Sequence, residues 1–202
     1  KRDWSSDVCS SDLGYRINAS GTRIYGFTAA GHGPKNALYR NGTKVGTLYD
    51  SVYTGSYDSA FYDRTSNTTL TNQTAYSNSE GGDDSVVTLS TSSSLPSLEG
   101  KTIAKVGGKT FYTTGTVLSV NDSWVDSSGV THSNFIETTA LNLHGDSGGC
   151  AFIKDGSSYK IIGQMSGSYH TGSSLTASTF TSSVIGQGCH VGTPFDSTIY
   201  RY

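Results

Sequence analysis

Glutamate is nearly missing from this 202-residue chain, occurring only as Glu80, Glu99 and Glu137, and Met165 is the single methionine. Strong helix formers are therefore scarce, whereas Thr, Tyr, Val and Ile are common, so extended structure is favoured over helix. No apolar run approaches the roughly 20 residues that a membrane-spanning helix needs. Charged residues make up only 15% of the chain and the formal net charge is −2. With both signs scattered there is no basic stripe for nucleic acid and no acidic tail. Proline occurs three times and cysteine three times. What remains is a chain rich in Ser, Thr, Gly and Tyr, and that points to many short strands with Gly-rich turns.

The head of the chain is unlike the rest. Residues 3–13, DWSSDVCSSDL, resemble the in-frame translation of a short-read sequencing adapter over eleven consecutive residues. Residues 1–13 are accordingly expected to be non-native, with Cys9 carrying no function and a first strand, signal peptide or pro-segment lost. Cys150 and Cys189 are left. A pair in a small Ser/Thr-rich chain suits an oxidising, extracellular setting, and the two are read as one disulfide, with two buried thiols as the other reading.

Strands are expected at 14–20 and 22–28 around Gly21, and at 37–40 and 44–49 around the hairpin signal Asn41-Gly42. Further strands are expected at 57–63, 102–106, 111–120, 134–139, 149–153, 159–165 and 176–185. Residues 65–84 read as a polar surface excursion and 90–100 as a linker. Residues 194–200 read as a short helix or a last strand. Strands at short spacing on both sides of a linker predict an all-β protein of two halves, 14–90 and 91–202, each a β-barrel or a sandwich, with a cleft between them.

Three short segments carry chemistry. In His144-Gly145-Asp146-Ser147-Gly148-Gly149-Cys150, a serine lies among glycines. A serine hydroxyl needs a base beside it, and N–H donors must face the oxygen that becomes negative. Gly145 and Ser147 are the candidate oxyanion donors. The string also satisfies G-x-S-x-G, the elbow of α/β-hydrolases, but that reading needs a strand-to-helix turn followed by the acid and then the histidine. No strand–helix alternation follows Ser147, and Ala151-Phe152-Ile153 looks like a strand, so it is rejected. Phe27-Thr28-Ala29-Ala30-Gly31-His32 places a histidine after an apolar strand, with small neighbours that leave its ring room. Tyr57-Asp58-Ser59-Ala60-Phe61 places an acid in an apolar strand, where a carboxylate needs a partner. Asp50 and Asp63 compete for that role, but both look more solvated. Gly100-Lys101-Thr102 and Gly108-Lys109-Thr110 mimic the end of a P-loop but lack its first glycine, so nucleotide binding is dismissed.

The order His32, Asp58, Ser147 is that of the chymotrypsin triad. TAAGH, DSAF and GDSGG resemble the three motifs of the chymotrypsin-like serine peptidases. Thr114-Gly115-Thr116-Val117 resembles a strand of the bacterial streptogrisin-like branch. The resemblance runs from Gly14 to the C-terminus. It implies two six-stranded barrels, the first lacking its N-terminal strand. It also implies a secreted, monomeric endopeptidase that cleaves polypeptides through an acyl-enzyme, with no metal or cofactor and no nucleic-acid or membrane partner. Ser166 matches the family serine that bonds the triad acid, and Ser166, Gly167 and Ser168 the edge that pairs with substrate. Leu141 takes the place of the aspartate that selects basic residues in trypsin-like enzymes, which implies an apolar or aromatic preference. His144, His170 and His190 would instead favour an acidic residue, or are solvated. Gly33 replaces a family cysteine, and Cys150 follows the nucleophile where relatives have one before it. Asp146 is expected to pair with an internal arginine, Arg23 or Arg40. A catalytically inactive binding module on the same fold is the alternative function, and a serine esterase is a second rival.

Overall fold

The computed structural model describes residues 13–32, 36–40, 42–55, 57–70, 73–76, 85–88, 96–143, 145–168, 179–183 and 199–201. Among these residues there is no helix. Two antiparallel sheets carry the fold. The first, in the order β14-β1-β2-β5-β4-β3, is open. It comprises β1 (Leu13–Ile17), β2 (Arg23–Ala29), β3 (Ala37–Arg40), β4 (Thr43–Thr54), β5 (Tyr57–Arg64) and the chain's last strand, β14 (Ile199–Arg201). The second closes into a barrel, β10-β13-β12-β11-β8-β9. Its strands are β8 (Thr102–Gly107), β9 (Phe111–Val125), β10 (Thr131–Thr138), β11 (Cys150–Asp155), β12 (Ser158–Ser168) and β13 (Thr179–Ser183).

Most expected strands are present, several of them longer. β4 runs on to Thr54 and β9 to Val125, because the polar residues of those segments are paired across long hairpins. The excursion at 65–84 and its flank are not wholly irregular. β6 (Gln73–Tyr76) and β7 (Ser85–Thr88) form a two-stranded ribbon. Val87 of that ribbon is buried against Ala104, Val106, Phe152 and Ile161 on the outside of the barrel. The C-terminal segment resolves in favour of a strand: β14 pairs with β1, Gly14 facing Arg201. Residues 90–95 of the expected linker and all of 1–12 lie outside the described residues.

Alternation explains the core. Along β8 and β11, Ile103, Ala151 and Ile153 face the barrel interior with Val117, Ile136, Ile162 and Met165. Their neighbours Ala104, Cys150 and Phe152 face the opposite side and are buried as well. Strands buried on both faces read as continuous apolar runs, and for that reason this half of the sequence has the clearest strand signals. The first sheet packs Phe27, Leu38, Val45, Ala60 and Tyr62.

Register places the ends of two strands together. Ala29 at the end of β2 faces Ala60 in β5, and the tight β4–β5 hairpin sets Tyr53 opposite Asp58. His32 follows Ala29 by three positions and Asp58 precedes Ala60 by two, so the adjoining strand ends bring the two side by side. The barrel interior sets stability: Ile162→Ala is expected to cost about 2–5 kcal/mol. Urea denaturation should show a lowered midpoint with an unchanged slope.

Candidate active site

His32 leaves β2 through Ala30-Gly31, under the start of β5. Asp58 is fully buried there. Its Oδ1 accepts the backbone N–H groups of Gly31 at 2.7 Å and His32 at 2.9 Å, and its Oδ2 lies 2.7 Å from His32 Nδ1. The loop can approach this closely only without a side chain at Gly31, where a Cβ would stand 1.9 Å from Val52 O. From the second barrel, Ser166 Oγ donates to the same Oδ2. The bond to Asp58 raises the His32 imidazole above its ordinary pKa of 6.5, against the opposing effect of burial. On the other edge of the ring, Nε2 lies 2.8 Å from Ser147 Oγ. Ser147 is exposed, so the row of groups runs from a buried carboxylate to an accessible hydroxyl.

The turn that carries Ser147 is clamped to β12: Gly148 donates to Met165 O and Met165 donates to Gly149 O, each at 2.8 Å. Gly148 has φ +81°, and a Cβ there would meet Ala30 N at 2.9 Å. Both its backbone geometry and its contact with the first sheet require glycine.

Asp146 points away from the cleft and is buried. The sequence suggested Arg23 or Arg40 as its cationic partner; the structure corrects this to Lys105, fully buried in β8, with Nζ 2.9 Å from Asp146 Oδ2. The N–H groups of Lys109 at 2.7 Å, Thr110 at 2.9 Å and Leu143 at 2.9 Å, with the Thr110 hydroxyl at 2.7 Å, complete the shell. The triplet Gly108-Lys109-Thr110, which only mimics a P-loop, thus wraps an anion belonging to its own chain. Burial disfavours the Asp146 carboxylate, yet Lys105 and these donors hold its pKa below the ordinary value.

Of the other expected residues, Leu141 is half-buried and its carbonyl accepts the Thr113 hydroxyl at 2.9 Å. Asn142 donates to Gly167 O at 3.3 Å, joining the segment before Ser147 to the end of β12. Gly167 and Ser168 close β12 and pair with Phe180 and Thr179 of β13. Asp50 binds its neighbouring N–H, and Asp63 binds Arg16 at 2.6 Å; neither is engaged with His32. His144, His170, His190, Gly33 and Cys189 lie outside the described residues, and with them the expected Cys150–Cys189 disulfide. Cys150 itself is buried in β11.

Two groups escaped the sequence reading. Lys105 left one signal, a lone cation in the apolar strand Thr102–Gly107. The second group is Tyr53, whose ring stands edge-on to His32 at 5.5 Å and lies over buried His132 at 4.7 Å. Its hydroxyl donates to Asp126 Oδ2 at 2.5 Å. That bond and the N–H of Val130 hold the Asp126 carboxyl well below the usual range, while burial pushes the Tyr53 hydroxyl up. No local pattern marks Tyr53, because its partners come from the distant β9–β10 hairpin.

A solved protease of Nocardiopsis is 30% identical to this chain, with 88% of this chain and 86% of that one covered and a TM-score of 0.65. The chain belongs to the chymotrypsin-like serine proteases. Protease A of Thermobifida fusca is similar at 26% identity over 88% of this chain and 85% of that one, TM-score 0.65. So is a glutamic acid specific serine protease described as using a histidine triad in substrate binding, at 26% identity over 87% of each chain, TM-score 0.65. No family model and no curated protein sequence matches the chain. The Lys105–Asp146 pair next to Ser147 has a measurable consequence. Lys105→Met leaves a buried carboxylate unpaired and should cost about 3–5 kcal/mol. Asp146, with its lowered pKa, stabilises the fold above the ordinary carboxylate range and loses that effect as pH falls through the folded-state value. Acid unfolding of Lys105→Met, followed by circular dichroism, should therefore begin at a higher pH than in the wild type.

Proposed function

We propose that this protease is a secreted endopeptidase that works through an acyl-enzyme, with Ser147 as nucleophile, His32 as base and Asp58 as orienting acid. The observation that carries the reading is the unbroken row Asp58 Oδ2–His32 Nδ1 at 2.7 Å and His32 Nε2–Ser147 Oγ at 2.8 Å. Ser147 attacks the scissile carbonyl while His32 takes its proton; His32 then returns that proton to the leaving amine, and water repeats the sequence on the ester. The buried Asp58 holds Nδ1 as the protonated nitrogen, leaving Nε2 to accept. Gly145 and Ser147 supply the oxyanion N–H groups. In support, the neighbouring N–H groups of Asp146 and Gly148 are already spent on Leu143 O at 3.0 Å and Met165 O at 2.8 Å. Leu141 and Asn142 form the wall beside the substrate edge Ser166–Ser168, and with no charge at Leu141 the reading favours apolar or aromatic side chains there. The substrate is a polypeptide, and the enzyme acts as a monomer.

A fluorophosphonate probe should label the folded wild-type chain and spare Ser147→Ala; a folded wild type that takes up no label would favour the inactive binding module. Peptide and ester substrates compared side by side would show whether esterase activity dominates. His32 must be neutral to act, so kcat/KM should fall as pH drops through a pKa above 6.5. Asp58→Asn removes the bond that raises this pKa. It should move the acid limb to lower pH and cut kcat by about 10⁴-fold. A small effect would overturn Asp58 as the orienting acid.

A further inference from the structure

Two polar residues of β12 lie two positions apart and so share a face of the strand, the face turned toward the first sheet. One is Ser166. The other is Gln164, 2% exposed, in a chain segment more than a hundred residues from its partners. Its Nε2 lies 2.9 Å from Ala29 O, 2.8 Å from Asp58 O and 3.0 Å from Ser59 Oγ. Two of these are carbonyls, which only accept, so the amide must present its NH₂ and not its oxygen to them. The two N–H groups match the two carbonyls, and the Ser59 hydroxyl completes the cluster. Among the described residues, Gln164 Oε1 has no hydrogen-bond partner. A buried, unpaired oxygen is unfavourable, and an apolar side chain of equal length would fill the space without it. The amide is thus explained by what it donates to, not by packing.

What it donates to is the backbone of the proposed base and acid. Ala29 O lies three residues before His32, and Asp58 O belongs to the acid itself. The turn carrying Ser147 leans on the same stretch, with Gly148 against Ala29 and Ala30. We infer that Gln164 is a positioning residue for the proposed reaction: by holding the carbonyls of Ala29 and Asp58 to β12, it sets His32 and Asp58 of the first sheet against Ser147 and Ser166 of the barrel. The inference rests on the proposed triad. Ser166 holds the carboxylate of Asp58 and Gln164 holds its carbonyl, so the acid is gripped at both ends from across the cleft. A displacement of about 1 Å between reacting groups can cost on the order of 100-fold in rate, so the loss of this tie should appear in turnover.

The test compares the full-length wild type with Gln164→Met, which keeps the length and loses both donors. Gln164→Asn, which keeps the amide and shortens its reach by one methylene, is the second variant. Near-ultraviolet circular dichroism checks the fold. In a folded variant kcat should fall roughly 10- to 100-fold with KM within about threefold, since ground-state contacts with substrate are untouched. The low-field proton resonance of the His32–Asp58 bond should weaken or vanish in parallel. That second readout needs no turnover, so it tests the tie even where labelling and hydrolysis by the wild type fail and the functional reading falls. A folded variant with kcat within twofold of the wild type and an unchanged low-field resonance overturns the inference. Failure of both variants to fold also overturns it, because the amide would then serve the fold and not the site.

Discussion

The buried carboxylate of Asp58 is the constraint around which the two halves are arranged. A charge without exposure must be matched by donors, and here they come from both sides of the cleft. Gly31 and His32 reach it from their own backbone and His32 adds its ring, while Ser166 arrives from the barrel. No one of these segments could satisfy the carboxylate alone. The open sheet and the closed barrel are therefore joined at the point where the proposed chemistry occurs, and the geometry of that chemistry is inseparable from the docking of the halves.

A second buried carboxylate, Asp146, plays the matching role inside the barrel. Lys105, Lys109, Thr110 and Leu143 enclose it and so shape the turn on which Ser147 stands. The two acids are alike in burial and differ in neighbours. Asp146 is neutralised by a lysine and faces inward. Asp58 is bonded to an imidazole that opens onto solvent. That difference separates a structural anion from one able to orient a base.

Much of this was legible beforehand. The strands of the barrel were visible because both their faces are buried, and the His32, Asp58 and Ser147 motifs were visible because each stands in a short string of small and apolar neighbours. The ribbon β6–β7 was missed because, among its described side chains, Gln73, Ser85, Val86 and Thr88 are exposed and Val87 alone is buried. Lys105 was passed over in favour of two arginines because a cation in an apolar strand has no local signature of its partner. Gln164 was silent for the same reason: its three partners lie over a hundred residues away in the chain.

The sequence alone determined the all-β class, the order of the candidate base, acid and nucleophile, and the glycines needed around them, because these depend on local backbone preference and residue chemistry. Only the tertiary structure decided which cation meets Asp146, that the last strand returns to the first sheet, and that β12 reaches across the cleft with a serine and an amide. Those outcomes depend on strand register and on the docking of two halves. Burial turns such distant pairings into obligations, because an unpartnered polar group there is costly, and no short stretch of sequence carries that information.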